Sequence, residues 1–133
     1  MSGSLRGRRA LVVDDSAAVR ARLRRALQAA GVETREARHG GEAWRALQEA
    51  RVDVILTDVH MPVMDGLKLI ALVRGDEAHR ATPVVVITSE AAGEEVRRAE
   101  GLGASAWLAK PVDDAELVRV IRALLAERAG GRR

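Results

Sequence analysis

Acidic, hydroxyl and amine side chains follow the short apolar runs of this 133-residue chain, and their types suit metal-assisted chemistry on a phosphate. They are Asp14 and Asp15 after the run 11–13, Asp58 after 52–56, Thr88 and Ser89 after 84–87, and Lys110 after 105–109. Three carboxylates brought close together repel one another unless a cation lies among them. Oxygen donors without cysteine or histidine favour Mg²⁺, or Mn²⁺, over Zn²⁺, and Mg²⁺ commonly combines one or two carboxylates with a phosphate.

Helix capping is the simpler role for any one of these aspartates, because a side-chain oxygen at a helix start accepts from an otherwise unpaired backbone amide. Ser16 or Asp15 can serve the helix that follows in this way. A cap requires only one such side chain, whereas three carboxylates occur at the predicted strand ends. The set as a whole therefore favours a cation site over capping alone.

Apolar runs alternate with amphipathic segments along the chain, and this pattern predicts strands alternating with helices. The strands are predicted at 11–13, 32–36, 52–56, 84–87 and 105–109, and the helices at 19–30, 42–50, 66–74, 94–100 and from Leu117 onward. Asp113 and Glu116 resemble a capping box at the start of the last helix.

Strands that are apolar on both faces and separated by helices predict an α/β fold with a parallel sheet covered on two sides. Five such units fit a doubly wound, flavodoxin-like three-layer sandwich with strand order 2-1-3-4-5. A dinucleotide-binding fold is disfavoured, because no glycine fingerprint follows the first strand and the string Gly101-Leu102-Gly103-Ala104 precedes a strand instead. Ligands of such sheets bind at the carboxyl ends of the strands, where the polar side chains above would meet.

The composition describes one folded domain and excludes several classes of protein. Apolar residues make up 47% and charged residues 31%, so the chain is not disordered. It lacks Cys, Phe and Tyr, which excludes disulfides, thiolate chemistry and a base-stacking surface for single-stranded nucleic acid. No apolar run approaches the roughly 20 residues of a membrane span, and the N-terminus lacks an export signal. We therefore expect a cytoplasmic protein without membrane insertion.

The net charge of +3 and the pI near 10.4 arise at the ends of the chain. Six basic residues lie outside positions 10–127, whereas all 19 acidic residues lie within them; the six are Arg6, Arg8, Arg9, Arg128, Arg132 and Arg133. We therefore predict a basic flexible N-terminus at 1–8, a folded domain at 9–128 and a flexible tail at 129–133. The body, with 16 basic against 19 acidic residues, carries a net −3 and is not expected to bind nucleic acid.

Asp14-Asp15, the segment Asp58-Val59-His60-Met61-Pro62-Val63-Met64-Asp65-Gly66, Thr88 and Lys110-Pro111 together resemble the receiver domain of two-component response regulators. The resemblance covers about residues 8–128 and is to stand-alone regulators of the chemotaxis type. It implies that Asp58 accepts a phosphoryl group from a phosphohistidine of a histidine kinase or a histidine phosphotransfer protein. It also implies a binding switch instead of an enzyme.

The resemblance further implies a metal site at the phosphoacceptor. By similarity, Asp15 binds Mg²⁺ directly, Asp14 acts through water, and Asp58 and the backbone carbonyl of His60 complete the protein ligands. Lys110 is the ammonium that compensates the charge of the phosphoryl group. The bond between Lys110 and the following proline is expected to be cis.

The switch residues implied by the resemblance are the hydroxyl of Thr88 and the aromatic ring of Trp107. The family commonly has Tyr or Phe at the latter position; Trp is larger, so its inward rotation is sterically harder, and a role as partly buried apolar surface is the alternative. His60 and Glu90 occupy positions that modulate dephosphorylation in the family.

The remaining aromatic and histidine residues are assigned ordinary roles. Trp44 is expected to pack in the interior, and His39 and His79 are expected to lie in solvated loops.

The residues after 128 are too few for an output domain, so we expect signalling through an unknown downstream protein, by a monomer or weak dimer. The binding surface is expected on the fourth helix, the fifth strand and the fifth helix. Two alternatives remain open: a receiver that is part of a larger regulator or hybrid kinase, and a pseudo-receiver that binds without phosphorylation. A haloacid-dehalogenase-like phosphatase is disfavoured, because it needs a second Asp two positions after the nucleophile, where this chain has His60.

Overall fold

The structure, a computed structural model, describes residues 4–89 and 93–131. Within these residues strands and helices alternate in chain order. The strands are β1 (Arg9–Val13), β2 (Glu33–Ala37), β3 (Val54–Thr57), β4 (Val84–Thr88) and β5 (Ala106–Ala109). The helices are α1 (Ala17–Ala29), α2 (Gly40–Glu49), α3 (Gly66–Gly75), α4 (Glu94–Leu102) and α5 (Asp114–Gly131).

The five strands form one parallel sheet of order β2-β1-β3-β4-β5. This confirms the predicted doubly wound fold. The three central strands are apolar on both faces, and every residue of β3 and β4 is buried. A strand of this kind must be covered on both sides, which requires helical crossovers on each face.

Two hydrophobic clusters lie on opposite faces of the sheet. One contains side chains of α1 and α5, among them Leu27 and Ile121. The other contains side chains of α2, α3 and α4, among them Leu47 and Ile70. The sheet is thus the middle of three layers, and its strand ends are held in fixed positions by packing on both sides.

Strand β3 begins two residues later than the sequence predicts. Asp53 links the segment before it to β1, because its backbone amide donates to the carbonyl of Arg9 and its Oδ2 accepts from the amide of Arg9, both over 2.8 Å. Val52 is only partly buried. Asp53 thus joins this segment to the first residue of β1, and the ladder with β1 starts at Val54.

The segment before β1 differs from the flexible N-terminus predicted at 1–8. Leu5 is 3% exposed and belongs to the cluster beneath α1 and α5. The backbone of Arg8 accepts from Glu33, and its side chain pairs with Asp53 over 3.5 Å. Residues 4–8 are therefore part of the folded body, whereas 1–3 lie outside the described residues.

This placement changes the charge assigned to the body. Residues 4–131 contain 20 basic and 19 acidic residues, so the folded body is close to neutral instead of −3. At the other end α5 continues to Gly131, three residues past the predicted domain boundary, and 132–133 lie outside the described residues. Among the residues that the structure describes, no helix is long and apolar enough to cross a membrane.

Candidate functional site

Three strand ends place the predicted polar side chains at one edge of the sheet. Asp14 follows β1, Asp58 follows β3 and Lys110 follows β5. Their backbones are bonded to the neighbouring strands: the amide of Asp58 donates to Val13 over 3.1 Å, and the amide of Lys110 donates to Thr88 over 3.0 Å. Residues 96 positions apart in the sequence thus meet because the strands are parallel and in register.

The ammonium of Lys110 connects two carboxylates. Its Nζ lies 2.8 Å from Oδ2 of Asp14 and 2.5 Å from Oδ2 of Asp58. Burial lowers the pKa of Lys110, but the hydrogen bonds to Asp14 and Asp58 raise it by more, so the pKa lies above its ordinary value. Lys110 therefore stays protonated at neutral pH and neutralises part of the acidic charge. The peptide bond between Lys110 and Pro111 is cis, as expected.

Asp58 is held by backbone as well as by lysine. Its Oδ1 accepts from the amides of Val59 over 2.6 Å and His60 over 3.2 Å, and the residue is 8% exposed. Gly66 packs directly on its backbone, since a Cβ at that position would overlap the carbonyl oxygen of Asp58. Any larger residue at position 66 would therefore displace the central aspartate.

Asp14 and Asp58 form an acidic pair that suits a hard cation, although together with Asp15 they do not surround a metal position on all sides. Asp14 is 2% exposed and shares Lys110 with Asp58, whereas Asp15 is exposed. Within the described ranges no three Asp, Glu, His or Cys side chains are grouped closely enough to hold a metal by themselves. Mg²⁺ retains several waters and needs only one or two carboxylates, so the oxygen-only donor set fits it.

His60 contributes an unexpected side-chain contact. Its backbone carbonyl was expected among the metal ligands, and its Nε2 lies 2.7 Å from Oε1 of Glu95 in the first turn of α4. The pair joins the loop after β3 to α4 across the edge of the site. Glu90, the other residue expected to modulate dephosphorylation, lies outside the described residues.

Thr88 and Trp107 lie on the same face of the sheet. Thr88 is the last residue of β4 and is 1% exposed. Trp107 pairs in register with Val86, and Ala109 pairs with Thr88. Because residues two apart on a strand share a face, the indole and the hydroxyl occupy adjacent positions on that face. Trp107 is 40% exposed, so its ring is turned partly to solvent.

Both histidines assigned to solvated loops have structural roles, so that interpretation was wrong. His39 is the N-cap of α2, where its Nδ1 accepts from the amides of Gly41 over 3.0 Å and Glu42 over 3.3 Å. His79 is 5% exposed, and its ring meets that of Trp44 edge-on at 6.1 Å. Trp44 packs against the α2–α3 side of the core, as expected.

The helix starts follow the capping rules. Ser16 caps α1, since its Oγ accepts from the amide of Val19 over 3.2 Å. Asp65 caps α3 through the amide of Lys68, and Asp113 accepts from the amide of Glu116 over 3.0 Å. Asp14 and Asp58 cap no helix, and this leaves their carboxylates to the site.

Arg20 is a residue of the site region that the sequence did not single out. Its spacing places it on the polar face of α1, where the sequence predicts a solvated arginine. In the structure its side chain is only 13% exposed, and its Nη1 donates to the carbonyl of Asp14 over 2.7 Å. No pattern in the sequence distinguishes Arg20 from Arg22, Arg24 and Arg25 on the same helix.

Comparison with known proteins agrees with this fold. The family model of the response regulator receiver domain matches residues 10–122. The chain therefore belongs to that family of two-component signalling domains.

The match covers most of one relative but only about half of another. The chemotaxis protein CheY1 of Helicobacter pylori is 40% identical over 103 residues, which cover 76% of this chain and 83% of CheY1. The transcriptional regulatory protein PrrA of Mycobacterium tuberculosis is 39% identical over 122 residues, covering 90% of this chain. The match covers 51% of PrrA, so this chain spans about half the length of that relative.

A solved structure of similar fold contains a metal. The receiver domain of the sensor histidine kinase PA1611 from Pseudomonas aeruginosa has a TM-score of 0.85 and 28% identity, and the match covers 90% of this chain and 98% of that one. A magnesium ion is coordinated in its active-site cleft.

Proposed function

We propose that this protein is a phosphoacceptor switch that receives a phosphoryl group on Asp58 from a phosphohistidine of a histidine kinase or histidine phosphotransfer protein. The observation that carries the proposal is the meeting of Asp58, Asp14 and Lys110 at the carboxyl ends of three strands. A carboxylate with a fixed orientation beside a protonated amine is a suitable nucleophile for phosphorus. Membership of the receiver family supports the same assignment.

The proposed transfer is a displacement at phosphorus. A carboxylate oxygen of Asp58 forms a bond to phosphorus while the bond from phosphorus to the donor imidazole breaks, and its electron pair returns to the nitrogen, which takes up a proton from solvent. Lys110 stays close enough to donate to a phosphoryl oxygen and compensates the charge that the group brings. The backbone amides of Val59 and His60 hold the attacked carboxyl group in place throughout.

Mg²⁺ is the metal that the site would hold, by Asp14, Asp15, Asp58 and the carbonyl of His60. When bound, it neutralises phosphoryl and carboxylate oxygens that would otherwise repel each other. Mn²⁺ has similar ligand preferences and is expected to substitute.

Acetyl phosphate provides a direct test, because it donates a phosphoryl group without a partner protein. With Mg²⁺, intact-mass spectrometry should show one phosphoryl adduct on the wild type and none on Asp58→Asn. Asp114→Asn, which alters an exposed aspartate in the first turn of α5, serves as the matched control and should be phosphorylated normally. An unmodified wild type, or an adduct that persists in Asp58→Asn, would contradict the proposal.

Phosphorylation is proposed to alter the surface formed by α4, β5 and α5. Thr88 would donate its hydroxyl to the phosphoryl group, and the adjacent Trp107 would turn from its partly exposed position toward the space that Thr88 leaves. The two helices carry Arg97, Arg98, Arg119 and Arg122, interspersed with acidic residues. We propose that this surface binds a downstream protein, as a monomer or weak dimer without further catalysis.

The two tryptophans allow this movement to be measured. In a Trp44→Phe background only Trp107 fluoresces, and beryllofluoride with Mg²⁺ imitates the phosphoryl group. Reduced quenching of Trp107 by acrylamide would support inward rotation, and Thr88→Ala should abolish the change. Unchanged quenching, combined with a normal adduct on Asp58, would mean that Trp107 does not take part in the switch.

A binding module that works without phosphorylation is the competing function, and the large side chain of Trp107 is the feature that favours it. A pull-down that compares the beryllofluoride-bound wild type with Asp58→Asn separates the two. Equal capture of the same partner by both would favour the competing function. Preferential capture by the beryllofluoride-bound form would favour the switch, whether it acts alone or in a longer regulator such as PrrA.

A further inference from the structure

Asp14 is fixed at every polar atom, and one of its partners lies outside the proposed phosphoacceptor site. Its backbone amide donates to Ala37, its Oδ1 accepts from the amide of Ser16 over 2.9 Å, and its Oδ2 accepts from Lys110. The remaining atom, the carbonyl oxygen, accepts from Nη1 of Arg20 over 2.7 Å. Through that bond a side chain of α1 holds the backbone of the acidic loop.

Arg20 is itself held by a carboxylate of the neighbouring strand. Its Nε lies 3.0 Å from Oε1 of Glu36 in β2, while the other oxygen of Glu36 accepts from Arg24 over 2.6 Å. Hydrogen bonds from Arg24 and Arg20 outweigh the effect of burial and lower the pKa of Glu36, so the carboxylate remains charged. The guanidinium therefore has one defined orientation, directed at the Asp14 carbonyl.

The carbonyl of Asp14 determines the direction in which the chain continues to Asp15. The two residues share a planar peptide group, so a bond that fixes the carbonyl oxygen of Asp14 also fixes the plane from which Asp15 departs. The Asp15 side chain has no hydrogen bond or ion pair to another residue in the described part of the chain, and it is exposed. The backbone of Asp15 is therefore set by two bonds on Asp14: the turn that its Oδ1 closes with the amide of Ser16, and the bond from Arg20 to its carbonyl oxygen.

We infer that Arg20 is a positioning residue for the metal site, which acts through the Asp14 carbonyl to hold Asp15 where it can bind Mg²⁺. The inference rests on the proposed function. Residues that orient metal ligands without touching the metal typically change metal affinity by about 10–100-fold when removed. If Arg20 acted through its charge instead, its removal would have the opposite effect on Mg²⁺ affinity. A nearby cation repels Mg²⁺, so loss of the charge would tighten binding.

The test is Mg²⁺ affinity, measured by isothermal titration calorimetry on the unphosphorylated full chain. Arg20→Ala should bind Mg²⁺ about 10-fold more weakly than the wild type. Arg20→Lys keeps the charge and can reach one acceptor, so its Mg²⁺ affinity should lie between those of the wild type and Arg20→Ala. Arg24→Ala is the matched control, since it removes the other guanidinium bound to Glu36 without touching Asp14, and it should leave the affinity within about 2-fold.

Kinetics supply a second readout. With acetyl phosphate, Arg20→Ala should need about 10-fold more Mg²⁺ for half-maximal phosphorylation and reach the wild-type rate at saturation. Tighter Mg²⁺ binding by Arg20→Ala, or unchanged affinity with only a lower melting temperature, would overturn the inference. Failure of the phosphoacceptor proposal is distinct, because it is an absent adduct on the wild type at saturating Mg²⁺.

Discussion

Lys110 and Asp58 follow two strands that are separated by a third, yet the ammonium of the lysine lies 2.5 Å from Oδ2 of the aspartate. The lysine reaches across the end of β4, and its backbone amide is bonded to Thr88 there. One side chain thus links the ends of β3 and β5, and a second bond extends the link to Asp14 after β1. The charge balance of the site depends on this residue.

Removal of the Lys110 ammonium should destabilise the metal-free protein. Lys110→Met leaves two largely buried carboxylates without their shared cation, at a cost of about 1–3 kcal/mol in the free energy of unfolding at neutral pH. Mg²⁺ should raise the melting temperature of Lys110→Met by more than that of the wild type, because the metal supplies the missing charge. The only other lysine, Lys68, is exposed and provides the control: a similar loss for Lys68→Met would contradict this role.

The pKa of Lys110 gives the same interaction a pH dependence. Because the pKa of Lys110 is raised in the folded state, its stabilising contribution is complete below the ordinary value of 10.5 and disappears as the pH rises through the folded-state value. Urea unfolding measured from pH 8 upward, about 2.5 units below the ordinary pKa, should therefore show an alkaline loss of stability that is smaller in Lys110→Met. Parallel curves for the two proteins would show that the ion pair contributes no stability.

The cap of α2 depends on an unprotonated histidine nitrogen. His39→Ala removes the acceptor of two backbone amides and should lower the free energy of unfolding by about 1 kcal/mol, whereas His39→Asn keeps an acceptor and should lose much less. Chemical denaturation checks both. Arg45→Ala on the exposed face of α2 is the control for general effects on the helix. Equal losses for His39→Ala and His39→Asn would argue against capping.

Val63 is in a backbone conformation that suits it poorly. It has a φ of 68° and is 86% exposed, so its side chain gains little from packing while it is held in the left-handed region. Asn tolerates that region far better, and Val63→Asn should stabilise the protein by about 1 kcal/mol. Val63→Ile keeps the β-branch and should not. A stability loss in Val63→Asn would show that the valine side chain makes a contribution of its own.

The ion pair between Glu42 and Arg38 should stabilise the folded protein only above acidic pH. Hydrogen bonds from the Arg38 side chain and backbone lower the pKa of Glu42 from 4.5 to about 2. The stabilisation is present above pH 4.5 and is lost as the pH falls to about 2. Solvent screening keeps this stabilisation small. Glu42→Gln should therefore be less stable than the wild type at pH 6, about 1.5 units above the unperturbed pKa, and equal to it near pH 2.

The fold was predictable because its strongest patterns are also its physical determinants. Runs such as Val84–Thr88 are apolar on both faces, and only the interior of a parallel sheet accommodates them. The meeting of Asp14, Asp58 and Lys110 followed, because in such a sheet the carboxyl ends of the strands share one edge.

What the sequence did not indicate depends on contacts between elements. His79 is buried because the loop after α3 folds against Trp44 of α2, and no local pattern marks this. Leu5 is one leucine among arginines, and its burial follows from the docking of the N-terminal segment beside β1 and α1. Arg20 has the helical position of a solvated residue, and only the path of the loop after β1 brings the Asp14 carbonyl to it.

Chemical trapping shows which residue of the protein carries the phosphoryl group. Borohydride reduces an aspartyl phosphate to homoserine, so a protein treated with acetyl phosphate and Mg²⁺, then with borohydride, can be mapped by peptide mass spectrometry. We expect homoserine at position 58 and unmodified aspartate at positions 14 and 15. Homoserine at either of those positions, or at none, would contradict it.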